Sequence, residues 1–100
     1  MFRGAEIPYG AYWSTPFARW QGSLSHLHSL KFAAHAAKSE LAQREISLAE
    51  INHGILGMTV PQQQSFYGLP WVTGMMGAED VAGPTINQAC ATGARTLAAA

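Results

Sequence analysis

The chain has 100 residues, of which 48% are apolar and only 12% are charged, and its formal net charge is zero. This length predicts one small domain, and the balanced charge gives no electrostatic basis for binding nucleic acid or an anionic membrane. One cysteine cannot form an internal disulfide, and the first residues lack the apolar stretch of a signal peptide. We therefore expect a cytoplasmic protein without nucleic-acid or membrane partners.

The few charges are unevenly placed along the chain. None occurs between Ile51 and Ala78, and Arg95 is the only charged residue after Asp80. Segments this poor in charge are mostly buried in folded proteins, so we expect burial of most of the second half. The last residues are strong helix formers with no glycine, asparagine or proline to end the helix. We interpret residues 1–100 as part of a longer protein, divided within a helix.

The first half of the chain predicts a strand and then a long helix. Period-2 alternation, which is typical of a strand, involves Ile7, Tyr9, Ala11 and Trp13. A 3-4-3-4 spacing, which places apolar side chains on one helical face, involves Leu27, Leu30, Ala34, Ala37 and Leu41. The helix is predicted over residues 27–44, with Ser25 as its N-cap.

The second half predicts three further helical segments and two strands. Ser47 and Glu50 have the spacing of a capping box, flanked by Ile46 and Ile51 as a hydrophobic staple. A mostly apolar strand follows over residues 53–60 and is expected to be covered on both faces. Residues 69–77 predict a helix, residues 85–89 a third strand and residues 91–100 a final helix. The order β-α-β-α-β-α indicates an α/β domain with a largely parallel sheet.

The histidines and glycines do not form a metal or nucleotide motif. His28 and His35 lie two helical turns apart, about 10 Å, which is too far to share one zinc ion. We expect no metal site, with the helical histidines solvated and His53 half-buried at the start of its strand. The glycines match neither the dinucleotide-binding nor the P-loop pattern. The aromatic residues expected in the core or at an interface are Trp13, Phe17, Trp20, Phe66, Tyr67 and Trp71.

Cys90 stands where the third predicted strand turns into the last helix. Unpaired N–H groups and the positive end of the helix dipole favour a thiolate there, which is the nucleophilic form of cysteine. Gly93 follows one turn later and leaves that helical face bare. However, free cysteine is also among the most buried residue types, and small residues also suit close helix–strand packing. The residues alone therefore leave two interpretations, a catalytic thiol and a buried core cysteine.

Three ordered segments resemble the thiolase family. Residues 87–94, Asn-Gln-Ala-Cys-Ala-Thr-Gly-Ala, resemble its nucleophile motif N-x-x-C-[AG]-[ST]-G. Residues 14–24 resemble the segment R-T-P-F-G-x-F-x-G-x-L, with Ser14 in place of the usual arginine. Residues 50–57 resemble the strand V-[DE]-x-V-I-x-G. The loop over residues 61–68 departs from the family pattern, and it lies near the subunit interface in relatives.

The resemblance implies a thiolase-like α/β fold, which has five layers (αβαβα) in the complete protein. Residues 1–100 would be a partial N-terminal thiolase domain, the opening part of the first half. The implied function is acyl transfer between coenzyme A thioesters, with no permanently bound cofactor and a homodimer or homotetramer as the assembly. Cys90 would be the acyl-thioester nucleophile, and its backbone N–H would contribute to an oxyanion hole. The activating histidine, a second cysteine, the glycine with the other oxyanion N–H and the coenzyme A loops lie further along in relatives.

Two other functions remain open from the sequence. The first is a ketosynthase-like condensing enzyme that acts on carrier-protein thioesters. Such enzymes usually have a different sequence around the cysteine, without the glycine three residues after it. The second is a non-catalytic thiolase-like protein that binds lipid or serves as an assembly partner. Acyl-chain length, reaction direction and subfamily, including the sterol-carrier type, are not determined by these residues.

Overall fold

The computed structural model describes residues 4–100 of the chain. Within these residues the helices and strands are α1 (Ser29–Gln43), β1 (Leu56–Gly57), α2 (Leu69–Met76), β2 (Thr85–Ile86) and α3 (Thr92–Ala99). Two 3-10 turns, Leu48–Glu50 and Ala89–Ala91, come before β1 and α3. The predicted alternation of helices and strands is therefore confirmed from α1 onward. No helix between residues 4 and 100 has the length and apolar character needed to cross a membrane.

The core lies between α1 and α2. The apolar stripe predicted for α1 is confirmed, because Leu30, Ala34 and Leu41 are all buried. They pack with buried residues of α2 and of the segment after it, namely Val72, Met76, Ala78 and Val81. Gly77 ends α2 in the left-handed conformation (φ 82°), which glycine adopts without steric cost.

The predicted N-cap of α1 is wrong. Ser25 and Leu27 donate backbone hydrogen bonds to Gly22 and Leu24, so the chain still turns tightly before the helix. The cap is His28 instead, whose Nδ1 accepts a hydrogen bond from the Leu30 N–H (3.3 Å). The helix consequently begins at Ser29.

The strand predicted at Ile7 to Trp13 is also wrong. Gly10 has a φ of +75°, and Ala11 N–H donates to Pro8 C=O at 3.1 Å, which makes a turn in the middle of the predicted strand. Ile7 and Tyr9 are exposed. Arg44 holds this segment instead, because its guanidinium donates to Tyr12 C=O (2.9 Å) and lies 5.4 Å from the centre of the Trp13 ring.

The capping residue predicted after α1 is confirmed, with a different partner. The Ser47 hydroxyl accepts a hydrogen bond from the Ala49 N–H (3.3 Å) rather than from the Glu50 N–H. The turn that it caps, Leu48–Glu50, is a single 3-10 turn, as its short length predicted. Ile46 and Ile51 are both partly buried against the core, and their contact as a staple stays a prediction.

The sheet consists of β1 and β2, which are parallel as predicted. Leu56 is paired with Thr85 and Gly57 with Ile86, and an isolated parallel bridge joins His53 to Ala82. α2 connects the two strands, which is the crossover that a parallel pair needs.

Both strands are shorter than predicted. The second predicted strand is also not covered on both faces, because Thr59 and Val60 are exposed. The third ends at Ile86, because the Asn87 side chain accepts a hydrogen bond from the Ala89 N–H (2.9 Å) and forms a turn.

Candidate active site

Cys90 lies in the 3-10 turn Ala89–Ala91, between the end of β2 and the start of α3. Its thiol is free and exposed. The interpretation of Cys90 as a buried core residue is therefore wrong for this structure, and the sulfur is accessible to a reagent or substrate. Gly93, Ala94 and Leu97 are exposed as well, so the face of α3 that follows on from the cysteine is open.

Asn87 fixes the entry to this turn through both ends of its side-chain amide. Its Oδ1 accepts a hydrogen bond from the Ala89 N–H at 2.9 Å. Its Nδ2 donates to the Thr59 C=O at 2.9 Å. The asparagine at the start of the motif thus shapes the turn locally and also ties it to the segment after β1.

Thr92 fixes the other side of the turn and is buried, with 5% of its surface exposed. Its hydroxyl accepts a hydrogen bond from the Gln88 N–H (2.9 Å) and donates one to the Ala89 C=O (2.7 Å). Both capacities of the hydroxyl are used within four residues of Cys90. An alanine or valine at this position would leave two backbone groups of the turn without these partners.

Ala89, immediately before the cysteine, has a left-handed backbone with a φ of +46°. Such a conformation costs a non-glycine residue on the order of 1 kcal/mol or more and persists where its surroundings impose it. Here the hydrogen bonds from Asn87 and Thr92 hold the peptide groups on both sides of Ala89. The turn that presents Cys90 is therefore strained and fixed in place.

The approach of α3 to the sheet depends on Gly57 in β1. A Cβ atom at Gly57 would lie 2.7 Å from Thr96 Cγ2 and 2.8 Å from Thr92 Cγ2. Gly93 makes no such close approach, since a Cβ there would meet nothing within 4 Å. Close helix–strand packing is thus present in this chain, but it occurs at Gly57 and not next to the cysteine.

The hydrogen bonds and ring contacts of the histidines do not involve Cys90. His28 is half-buried against Trp71, with 5.2 Å between ring centres, so the expectation that it is solvated is wrong. His26 and His35 are exposed as expected. His53 is exposed rather than half-buried, and its backbone makes the bridge to Ala82. Among residues 4–100, no cluster of three or more histidine, cysteine or acidic side chains could hold a metal ion.

Two clefts lie away from the cysteine. One, of about 190 Å³, is lined by Thr15, Leu24, Leu27, Ser29, Phe32 and Ala33. The other, of about 260 Å³, lies between the 3-10 turn Leu48–Glu50 and residues 77–81. Neither includes Cys90, which stands on an open surface.

A comparison with protein families identifies the family to which this chain belongs. Residues 11–100 match the family model described as thiolase, N-terminal domain. The chain belongs to the thiolase family. The thiolase match covers all three segments that the sequence analysis identified, from the loop at residues 14–24 to the turn around Cys90. Searches of curated proteins and of solved structures gave no match.

Two residues near Cys90 have structural roles that the sequence analysis did not predict. Thr59 donates a hydrogen bond to the Ala89 C=O (3.1 Å), and Gly57 admits α3 to the sheet. A glycine within an apolar strand is a signal for close backbone approach, so Gly57 could have been found. Thr59 carried no such signal, since its partner is 30 residues away in the chain.

Proposed function

We propose that this chain carries the nucleophile of a thiolase-type acyl-CoA acyltransferase. The observation that supports the proposal is the exposed Cys90 thiol on a fixed turn, within a chain matched to the thiolase N-terminal domain. In this reaction the thiolate attacks the acyl-CoA carbonyl, forming a thioester to Cys90 and releasing coenzyme A. A second acyl-CoA loses a proton next to its carbonyl to the catalytic base, and the carbanion attacks the acyl carbon of the Cys90 thioester. The C–S bond then breaks and the Cys90 thiolate leaves. The product is 3-ketoacyl-CoA, and the reverse sequence cleaves it.

The backbone at Cys90 suits the stabilisation of an oxyanion. The hydrogen bonds of the turn run from Ala91 N–H to Gln88 C=O and from Thr92 N–H to Ala89 C=O, so the Cys90 N–H takes no part in them. A preorganised N–H beside a nucleophile is the kind of donor that stabilises the tetrahedral intermediate. We assign this role to the Cys90 N–H, with a second donor supplied from outside these residues.

Residues 1–100 contain one cysteine, so a second cysteine is not among them. We propose that an activating histidine, a second cysteine as acid and base, and the coenzyme A loops come from elsewhere in the assembled enzyme. The substrates are coenzyme A thioesters, and no cofactor is held permanently. We also propose a cytoplasmic homodimer or homotetramer, as the family resemblance implies.

The proposal is tested on the natural gene product that carries these residues. It is incubated with acetyl-CoA, and the acyl group is mapped by peptide mass spectrometry while released coenzyme A is measured. We expect one acetyl group on Cys90 and thiolysis of acetoacetyl-CoA when coenzyme A is added. The Cys90→Ser variant should lose thiolysis by roughly 10⁴-fold or more, as expected when an enzymatic nucleophile is removed.

Acyl carrier protein that bears an acetyl thioester serves as the second acyl donor in the same experiment. Acylation of Cys90 from the carrier protein alone would contradict the proposal and favour a ketosynthase-like enzyme. A gene product that is acylated by neither donor would contradict it in favour of a non-catalytic protein. Acetylation elsewhere than Cys90, with the serine variant still active, would remove Cys90 from the mechanism.

A further inference from the structure

Thr59 lies two residues beyond β1 and contacts the cysteine turn from outside it. Its Oγ1 donates a hydrogen bond to the Ala89 C=O at 3.1 Å. Its C=O accepts a hydrogen bond from Asn87 Nδ2 at 2.9 Å. One residue therefore holds the turn at two points, one on each side of Gln88.

The hydroxyl of Thr59 has one proton and two acceptors within reach. The Ala89 C=O is at 3.1 Å and the Thr92 Oγ1 at 3.4 Å, so the carbonyl is the better partner. The Thr92 hydroxyl and N–H also donate to this carbonyl, but both belong to the helix start itself. Thr59 is thus the donor that connects this oxygen to the segment after β1.

The Ala89 C=O and the Cys90 N–H belong to the same peptide group. Because this group is planar and trans, its oxygen and its hydrogen point in opposite directions. Whatever holds the Ala89 oxygen also sets the direction of the Cys90 N–H. Ala89 is in a strained left-handed conformation (φ +46°), which would relax by rotation of this peptide if nothing held it. The hydrogen bonds to the Ala89 oxygen oppose that rotation.

We infer that Thr59 is a positioning residue, which orients the Cys90 N–H as an oxyanion donor through its hydrogen bond to the Ala89 carbonyl. The inference rests on the proposed function, in which a tetrahedral intermediate forms at Cys90. It assigns to Thr59 an effect on thioester chemistry that is separate from the reactivity of the sulfur. Thr59 touches neither the substrate nor the sulfur in this role.

The test compares two reactions of Cys90 in the natural gene product. Acylation by acetyl-CoA passes through an oxyanion, whereas alkylation by iodoacetamide displaces iodide and forms none. The isosteric Thr59→Val variant should slow acylation by about tenfold, below the full loss of an oxyanion donor, and leave alkylation unchanged. Thr59→Ser keeps the hydroxyl and should restore the wild-type ratio of the two rates. Val60→Ala changes an exposed neighbour, which makes it the matched control for local substitution.

The ratio of the rates separates positioning from loss of structure, because partial unfolding would alter both reactions. A wild-type ratio in Thr59→Val, or failure of Thr59→Ser to restore it, would overturn the inference while leaving the proposed function in place. Absence of acylation in the wild-type protein would overturn the proposed function, and this inference with it. Circular dichroism of each variant establishes that it is folded before the rates are compared.

Discussion

At the scale of single residues, His28 joins three parts of the fold through one imidazole ring. Nδ1 accepts from the Leu30 N–H, so Nε2 carries the ring proton and donates to the Gln63 C=O at 2.5 Å. The ring also meets the Trp71 ring edge-on, at an interplanar angle of 82°. The histidine thus caps α1 and contacts both α2 and the loop after β1. Helical spacing predicted a solvated histidine, because spacing along one helix carries no information about contacts with Trp71 and Gln63.

We expect His28→Ala to lower the free energy of unfolding by about 1–2 kcal/mol, from the lost cap and the lost aromatic contact. His28→Asn keeps a capping acceptor and should recover part of this loss. Urea titration followed by circular dichroism measures both. An alanine variant as stable as the wild type would show that the ring contributes nothing to the fold.

At the scale of elements, the position of Cys90 depends on how closely α3 lies on β1. Gly57 allows this approach, and the two threonine methyl groups that face it belong to Thr92 and Thr96. The Thr92 side chain cannot move away without breaking its bonds to Gln88 and Ala89. A side chain at Gly57 would therefore displace the helix and, with it, the cysteine turn.

We expect Gly57→Ala to destabilise the protein by about 1–3 kcal/mol through overpacking. Gly74→Ala is the matched control, because Gly74 lies in α2 and a Cβ there meets nothing within 4 Å. That variant should gain about 0.5–1 kcal/mol from helix propensity. Urea unfolding of both variants measures their free energies of unfolding. Equal changes of the same sign in the two variants would contradict close packing at Gly57.

At the scale of the whole molecule, the expectation that most of the charge-poor second half is buried is wrong, because most residues from 51 to 100 are exposed. α2 is buried as expected at Leu69, Val72 and Met76. In contrast, Val60 is 66% exposed, and Phe66 and Tyr67 contact one another in the open. Of the aromatic residues predicted for a core or an interface, Trp13, Phe17 and Trp20 are exposed as well. Trp71 packs on the core, and an interface over the exposed rings stays a prediction.

We expect the isolated chain of residues 1–100 to show no thiolysis of acetoacetyl-CoA, even where Cys90 reacts with iodoacetamide. The mechanism proposed above uses a second cysteine for proton transfer, and this chain has one cysteine. An absorbance assay at high chain concentration measures turnover directly. Turnover that is lost in Cys90→Ser would show that residues 1–100 are catalytically sufficient and would contradict the division of the site proposed above.

The sequence by itself determined the features that depend on neighbours along the chain. The apolar spacing of α1 and the motif around Cys90 are local patterns, and they predicted the helix and the family correctly. The first strand failed because a strand needs a partner, and the turn at Gly10 lies in its middle. Strand ends were also missed, since the Asn87 turn ends pairing at Ile86.

Only the tertiary structure decided how Cys90 is presented. The exposure of the thiol, the strained φ of Ala89 and the approach of α3 at Gly57 depend on which segments meet in space. The bond from Thr59 to Ala89 joins residues 30 positions apart, and no local pattern encodes such a pair. Hydrogen bonds and steric contacts between distant segments act only once the chain has folded, so the geometry of the nucleophile could not be read from the motif that identifies it.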